Sequence, residues 1–258
     1  MGGVMREALG GLTAVLAQSA EDAQRLRQAG SREVSVSGNL KFDLELPPTQ
    51  LAEGRAWRVQ AGRPVVLIAS TREGEDAGFV QAIQAASATP DAPLYVLVPR
   101  HPQRFEEAAQ CLRAAGLAYL RRSAGGPAPG AEIQVLLGDT LGEMAFYYAA
   151  ADVAIVAGSF APLGGQNLIE ACAAGTPVIV GPHTFNFKQA AADAIAAGAA
   201  LRVETARQAL EQAWLLLADA PRRQAMGEAG QTWTTAHRGA AIRSLAALAA
   251  WLGPGRRP

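Results

Sequence analysis

Residues 153–188 read VAIVAGSFAPLGGQNLIEACAAGTPVIVGPHTFNFK. An apolar run, Val153–Ala157, stops at Gly158-Ser159. Gly164-Gly165 and Gln166-Asn167-Leu168-Ile169-Glu170 then open a helical stretch, Asn167–Ala174, and a second apolar run, Val178–Val180, follows. Both runs are continuously apolar rather than alternating, which is the pattern of strands buried on both faces of a parallel sheet covered by helices. The same alternation extends outward. Further strands are expected at Ala14–Ala17, Val34–Ser37, Val65–Ser70, Leu94–Val98, Ile133–Leu137 and Leu201–Val203. Helices are expected at Ala20–Ala29, Asp76–Ala88, Arg104–Ala115, Glu143–Ala150 and Lys188–Ala197. Repeated βα units predict an α/β fold with a Rossmann-like, doubly wound parallel sheet. The tail, Ala206–Leu252, reads as helices broken near Pro221.

One boundary interrupts this pattern. Gly38–Pro48 is non-periodic and ends in Pro47-Pro48. Only about one βαβ unit precedes it, too little for a sheet with its own core, so residues 1–40 read as the end of something larger. Ser123–Ala131 is a surface loop by composition. No internal repeat is visible.

The 258 residues hold 23 Lys+Arg against 23 Asp+Glu. That balance excludes a chain whose affinity comes mainly from neutralising nucleic-acid phosphates, and no nucleic-acid partner is expected. With 50% hydrophobic and 18% charged residues, the composition is opposite to that of a disordered chain. Cys111 and Cys172 are distant in sequence and are expected to be free thiols. No stretch has the 18–20 uncharged apolar residues of a membrane span; the best, Tyr147–Ala161, contains Asp152. Met1–Gln18 lacks the pattern of a signal peptide.

Ligands of open parallel sheets bind beyond the carboxyl ends of the strands, and four such places carry polar residues. Ser70-Thr71-Arg72-Glu73 offers hydroxyls and a guanidinium to a phosphate or carboxylate, although S-x-x-E is also a capping box. Pro99-Arg100-His101-Pro102 places an Arg where it can hold an anion by paired bonds, or simply in a solvated loop. Gly138–Met144 offers turn backbone, with Thr140 and Glu143 as another capping box. The fourth is the opening stretch: Gly164-Gly165 lets backbone approach a ligand, and Glu170 suits sugar hydroxyls. There the simpler reading has Asn167 capping and Glu170 returning the bond. The loop Gly181–Lys188 adds amide, aromatic and basic groups. Each piece has a structural explanation alone; together, at the ends of one sheet, they favour a site. His101, His183 and His237 lack ligand spacing, so no metal is expected. Neither a G-x-S-x-G elbow nor a Walker A sequence is present.

ASTREGED, LVPRHPQRF, GDTLGEM and the 158–188 stretch, preceded by LAQSAEDAQRLRQAG and VSGNLKFD, together resemble the Kdo (3-deoxy-D-manno-octulosonic acid) transferases of lipopolysaccharide assembly. The resemblance runs in collinear order from about Leu16 to Lys188. It implies a GT-B glycosyltransferase whose C-terminal domain binds CMP-Kdo, whose N-terminal domain binds a lipid A precursor and supplies a carboxylate base, and which is tethered to the cytoplasmic side of the inner membrane. Transfer inverts the anomeric centre, with no metal or cofactor. By resemblance, Ser70, Thr71, Arg100, Gly142, Glu143, Ser159, Asn167, Glu170, Asn186 and Lys188 line the donor pocket. Arg100 and the helix start at Asn167 would face the phosphate, and Glu170 the ribose. Residues 1–40 become the remnant of the acceptor domain, 41–48 a linker, 49–230 the donor domain, and 231–258 a C-terminal helix and tail. The helix candidate, Thr232–Leu252, would pack back on the first domain with its apolar face partly uncovered.

Three positions depart from the family pattern: Arg72 and Gln166 stand where His is usual, and Leu168 where Pro is. The resemblance places the general base and the anchor in the missing part of the first domain, leaving this chain cytoplasmic and soluble. Glu73 or Glu75 could replace the base, although both read more simply as helix-start carboxylates. The alternatives are a CMP-Kdo binding module without transfer activity and another GT-B nucleotide-sugar enzyme such as an epimerase.

Overall fold

The computed structural model of the chain describes residues 2–86 and 92–252. It divides into two units, Met1–Glu45 with Thr234–Pro258, and Leu46–Trp233.

The first unit opens with α1 (Gly2–Gly10), β1 (Val15–Ala17), α2 (Ala20–Ala29) and β2 (Val34–Val36). β1 and β2 pair in parallel, Val15 opposite Val34. Helix α2 matches its expected span. Ser19 caps it, accepting from the Asp22 N–H at 3.1 Å, and Gly30 at φ +120° ends it. Helix α1, whose nine residues bury none, gave no pattern to read. Leu40–Asp43 forms a 3-10 turn inside the non-periodic stretch.

The second unit begins with α3 (Pro48–Gln60), which the sequence reading did not anticipate. Pro48 occupies the helix start, where a missing N–H costs nothing, but Gly54 in its middle masks the periodicity. Gly54 is there for contact: a Cβ on it would lie 2.4 Å from the Phe146 carbonyl oxygen. The remaining elements follow in order. They are β3 (Val65–Thr71), α4 (Glu75–Ala86), β4 (Leu94–Pro99), α5 (Phe105–Ala114), β5 (Tyr119–Arg121), β6 (Val135–Leu137), α6 (Met144–Ala149), β7 (Val153–Val156), α7 (Ile169–Ala174), β8 (Val178–Val180), α8 (Lys188–Ala196), β9 (Ala200–Arg202), α9 (Ala206–Ala218) and α10 (Ala220–Ala236). The end of the expected helix Asp76–Ala88 lies outside the described residues. The edge strand β5 was missed because only half of its surface is covered.

All seven strands of this unit are parallel, in the order β5-β6-β4-β3-β7-β8-β9. The chain winds outward from β3 in one direction and returns to place β7 on its other side. That is the doubly wound sheet the sequence predicts. Every residue of β4, β6, β7 and β8 is buried. Val66, Ile68, Leu97 and Ile155 pack against Phe79, Ile83, Leu112 and Leu210 of α4, α5 and α9.

After α10 comes α11 (Ala240–Leu252), which belongs to the first unit. The expected helix Thr232–Leu252 is therefore interrupted at residues 237–239. Asp43 accepts from the Gly239 and Ala241 N–H groups at the start of α11, and Arg243 donates to the Ser37 carbonyl at 2.8 Å. The Phe42 and His237 rings stack at 4.9 Å. Ile242, Leu245, Leu248 and Trp251 of α11 remain exposed. Among the described residues, no helix is long and apolar enough to cross a membrane.

Candidate functional site

The strand order reverses beside β3, so the loops after β3 and β7 leave toward opposite faces and open a crevice at the strand ends. A cavity of about 220 Å³ occupies it. Ser70 reaches it from β3, Arg100 from β4, Gly142 and Glu143 from the loop after β6, and Asn167 and Glu170 from the segment after β7. Six of the ten residues named from the sequence are thus brought to one pocket.

Ser70 is placed by a break in its strand. The β3–β4 register shifts between Ala69 and Thr71, and Ser70 has φ +61°, alone among non-glycine residues in the described chain. Its expected role in a capping box is therefore not seen; the Arg72 N–H is taken by Glu75 instead, at 2.8 Å. The exposed Arg100 donates to Gln166 Oε1 at 3.3 Å, while its backbone N–H is held by the Thr71 carbonyl at 2.9 Å. Glu143 is bonded by Thr140 Oγ1 and by Arg122 at 3.0 Å. Burial alone would raise its pKa, but those two donors outweigh it and hold the carboxyl below the usual range. Asn167 accepts from the Ile169 N–H at 3.1 Å and donates to Glu170 at 2.9 Å. The capping arrangement and a pocket-facing position therefore coexist. α7, however, starts at Ile169 and has six residues. The helix start expected at Asn167 is displaced, and so short a helix offers little dipole.

Four named residues do not line the cavity. Thr71 is fully buried behind it. Ser159 is buried and structural: its hydroxyl donates to the Val156 carbonyl at 2.7 Å and accepts from the Gly181 N–H at 2.8 Å. Asn186 bonds the Leu163 carbonyl at 3.1 Å, and Lys188 is an exposed residue at the start of α8.

The structure adds residues the sequence reading passed over. Tyr147 lines the pocket, its hydroxyl 2.8 Å from Thr140 Oγ1, with a pKa pushed up by burial to about 12. Arg122 holds Glu143 and lies 4.3 Å over the Phe146 ring. Tyr147 sits in a helix whose aromatic run reads as core, and Arg122 opens a short 3-10 turn after β5; neither carries a local signal. A larger groove, about 800 Å³, runs between α4 and α9. Its charged pair, Arg207 and Glu211, is exposed and self-satisfied at 2.8 Å. Among the described residues, no group of three or more His, Cys, Asp or Glu could hold a metal.

A doubly wound sheet binds its ligands in the cleft at its switch point, and the family model described as glycosyl transferases group 1 matches residues 60–233. The class is thus a GT-B glycosyltransferase. Within it, the chain belongs to the Kdo transferases. Residues 1–44 match the family model of 3-deoxy-D-manno-octulosonic-acid transferase. The 3-deoxy-D-manno-octulosonic acid transferase of Bordetella pertussis is 66% identical over 98% of this chain and 60% of its own length. That of Haemophilus influenzae is 35% identical over 85% of this chain and 52% of its own length. The crystal structure of the C-terminal CMP-Kdo binding domain of WaaA from Acinetobacter baumannii is similar with a TM-score of 0.66 at 29% identity, over 76% of this chain and 98% of that one. The chain therefore spans between half and two-thirds of these curated relatives.

Proposed function

We propose that the cavity at the ends of β3, β4 and β7 binds the cytidine nucleotide of CMP-Kdo, and that this chain is the donor-binding half of a Kdo transferase acting on a lipid A precursor. The observation that carries this reading is the convergence of Arg100, Ser70, Asn167 and Glu170 on one pocket, in a chain whose like-folded relative is a CMP-Kdo binding domain. At about 220 Å³ the cavity is smaller than the ~300–1,000 Å³ that enclose a drug-sized ligand. It would hold part of the donor, the rest extending beyond the strand ends.

In transfer, an acceptor hydroxyl attacks the anomeric carbon while the bond to the phosphate oxygen breaks, and CMP leaves with the electron pair. Charge grows on the phosphate as it leaves. Arg100 is the cation among the pocket residues, and a guanidinium there suits stabilisation of that charge. Glu170 is the acceptor for sugar hydroxyls. The proton of the acceptor hydroxyl needs a base. Glu143 is occupied by Arg122 and Thr140; in this reading the base, the acceptor domain and the inner-membrane tether belong to the part of the relatives' length that this chain does not span.

Calorimetric titration with CMP, and with UMP as control, tests the reading. CMP should bind selectively. Arg100→Ala should weaken binding about tenfold or more, because a hydrogen bond to a charged group is worth roughly 1.5–3 kcal/mol. Preference for UMP, or an unchanged CMP affinity in the variant, overturns it.

A further inference from the structure

One carboxylate beside the pocket does work that its position at the start of a helix does not require. Glu75 is 4% exposed and outside the pocket lining, yet both its oxygens are filled by backbone donors. Oε2 accepts from the Arg72 N–H at 2.8 Å and the Gly158 N–H at 2.7 Å. Oε1 accepts from the Phe160 N–H at 2.9 Å and the Ala161 N–H at 3.2 Å. Arg72 follows Ser70 on the β3 rim; Gly158, Phe160 and Ala161 form the β7 rim. One side chain thus fastens the two loops between which the crevice opens.

The fastening continues to the pocket residues. Gly158 stands at φ +70°, and its carbonyl accepts from the Gly165 N–H at 2.7 Å. A Cβ on Gly158 would meet Gln166 at 2.9 Å and Arg72 at 3.4 Å, so the three are in contact. Gln166 in turn accepts from the Arg100 guanidinium, and Asn167 donates to Glu170. The other rim bond runs from Ser159, next to Gly158, to Gly181 and His183 through its hydroxyl and carbonyl. Neutral amide donors alone would leave each loop free to settle separately; a shared anion makes their spacing a property of one group.

We propose that Glu75 is a positioning residue of the donor site: it sets the distance between the β3 and β7 rims and thereby the placement of Arg100, Gln166 and Asn167. It is not an acceptor base, because four donors occupy its oxygens and it is closed to solvent. This rests on the cavity being the nucleotide site. A glutamine cannot replace it. It has one acceptor oxygen, so it can hold the Arg72–Gly158 side or the Phe160–Ala161 side but not both, and its NH2 group would face backbone N–H groups on the other.

The test uses the full chain, with CMP as probe. Wild-type protein, Glu75→Gln and the core variant Ile83→Val are compared by thermal melting, CMP titration and amide hydrogen exchange. In Glu75→Gln, CMP affinity should fall at least tenfold, and exchange at Gly158, Phe160 and Ala161 should quicken at least tenfold while the Ile155 amide in β7 is unchanged. Ile83→Val should lower the melting temperature yet keep CMP affinity within twofold, which separates positioning from general loss of stability. If Glu75→Gln does not fold, Glu75→Asp, one methylene shorter, takes its place with the same readouts. A folded variant that binds CMP within twofold of wild type overturns the proposal. So does a fall in affinity with unchanged exchange at the three amides. Failure of wild-type protein to bind CMP overturns the nucleotide reading instead, and the exchange comparison still decides whether the clasp exists.

Discussion

The two units stabilise themselves in different ways. In Leu46–Trp233, strands β4, β6, β7 and β8 bury every residue, and helices cover both faces of the sheet. The unit even encloses a charged pair: Arg104 and Asp76 are bonded with side chains 6% and 3% exposed. In the unit formed by Met1–Glu45 and Thr234–Pro258, two three-residue strands pair, α1 buries nothing, and the charged pairs of Arg25 with Glu21 and Asp22 lie at the surface. Its ties are hydrogen bonds at helix ends, above all Asp43 on α11. A seven-stranded sheet owns its core; a two-stranded one must borrow order from whatever is nearby.

The sharpest way to break this contrast is to remove the same residue type from both. Burial keeps the Asp76 carboxyl above its usual range despite the guanidinium beside it, so deleting its partner strands a charge in the core. Arg104→Ala should cost about 3–5 kcal/mol, read as a large drop in the urea midpoint. Arg25→Ala should cost about 0.5 kcal/mol or less. Equal losses would mean that the two units do not differ as described.

A second variant acts on the residue of the large unit that, alone among the described non-glycine residues, has a positive φ. Ser70 holds a left-handed backbone that glycine adopts without penalty. Ser70→Gly should raise stability by about 1 kcal/mol while weakening CMP binding, because the hydroxyl leaves the pocket. A denaturation curve and a titration on the same sample check both signs.

The smallest effect belongs to the small unit and to acid. The Ala241 and Gly239 N–H groups hold the Asp43 carboxyl below its usual range, with Arg243 adding to the effect. A depressed pKa contributes stability that is complete above the ordinary Asp value, about 3.9, and is lost as pH falls through the lower folded value. Amides at the start of α11 should therefore lose protection, measured against the intrinsic exchange rate at each pH, below about pH 4, with the protection of those in β7 unchanged. Asp43→Asn should remove that pH dependence.

The fold was legible because buried parallel strands write themselves as unbroken apolar runs: β8 was read to the residue, and so was α2, whose ends the structure shows capped by Ser19 and Gly30. Elements without such runs were not. α3 hides behind Gly54, α1 faces solvent, and β5 is an edge. Of the pocket, the residues immediately after strands could be found, because topology fixes where strand ends go. Thr71 ends β3 and Ser159 follows β7, but the polypeptide turns their hydroxyls inward, a rotation no local pattern records. Glu75 acts through partners far along the chain, Gly158 lying 83 positions from it, and neighbouring residues carry no trace of that.

Helix α3 imposes a constraint of a different sort. Gln50 donates to the Gly142 carbonyl at 2.9 Å, and Gly54, four residues on, gives α6 its close approach. Residues four apart share one face of a helix, and adding a residue turns that face by about 100°. The interval from Gln50 to Gly54 is therefore a ruler. An insertion or deletion before Pro48 leaves that interval intact, but one between Gln50 and Gly54 would lift Gln50 off the glycine rim or drive a side chain into the Phe146 carbonyl.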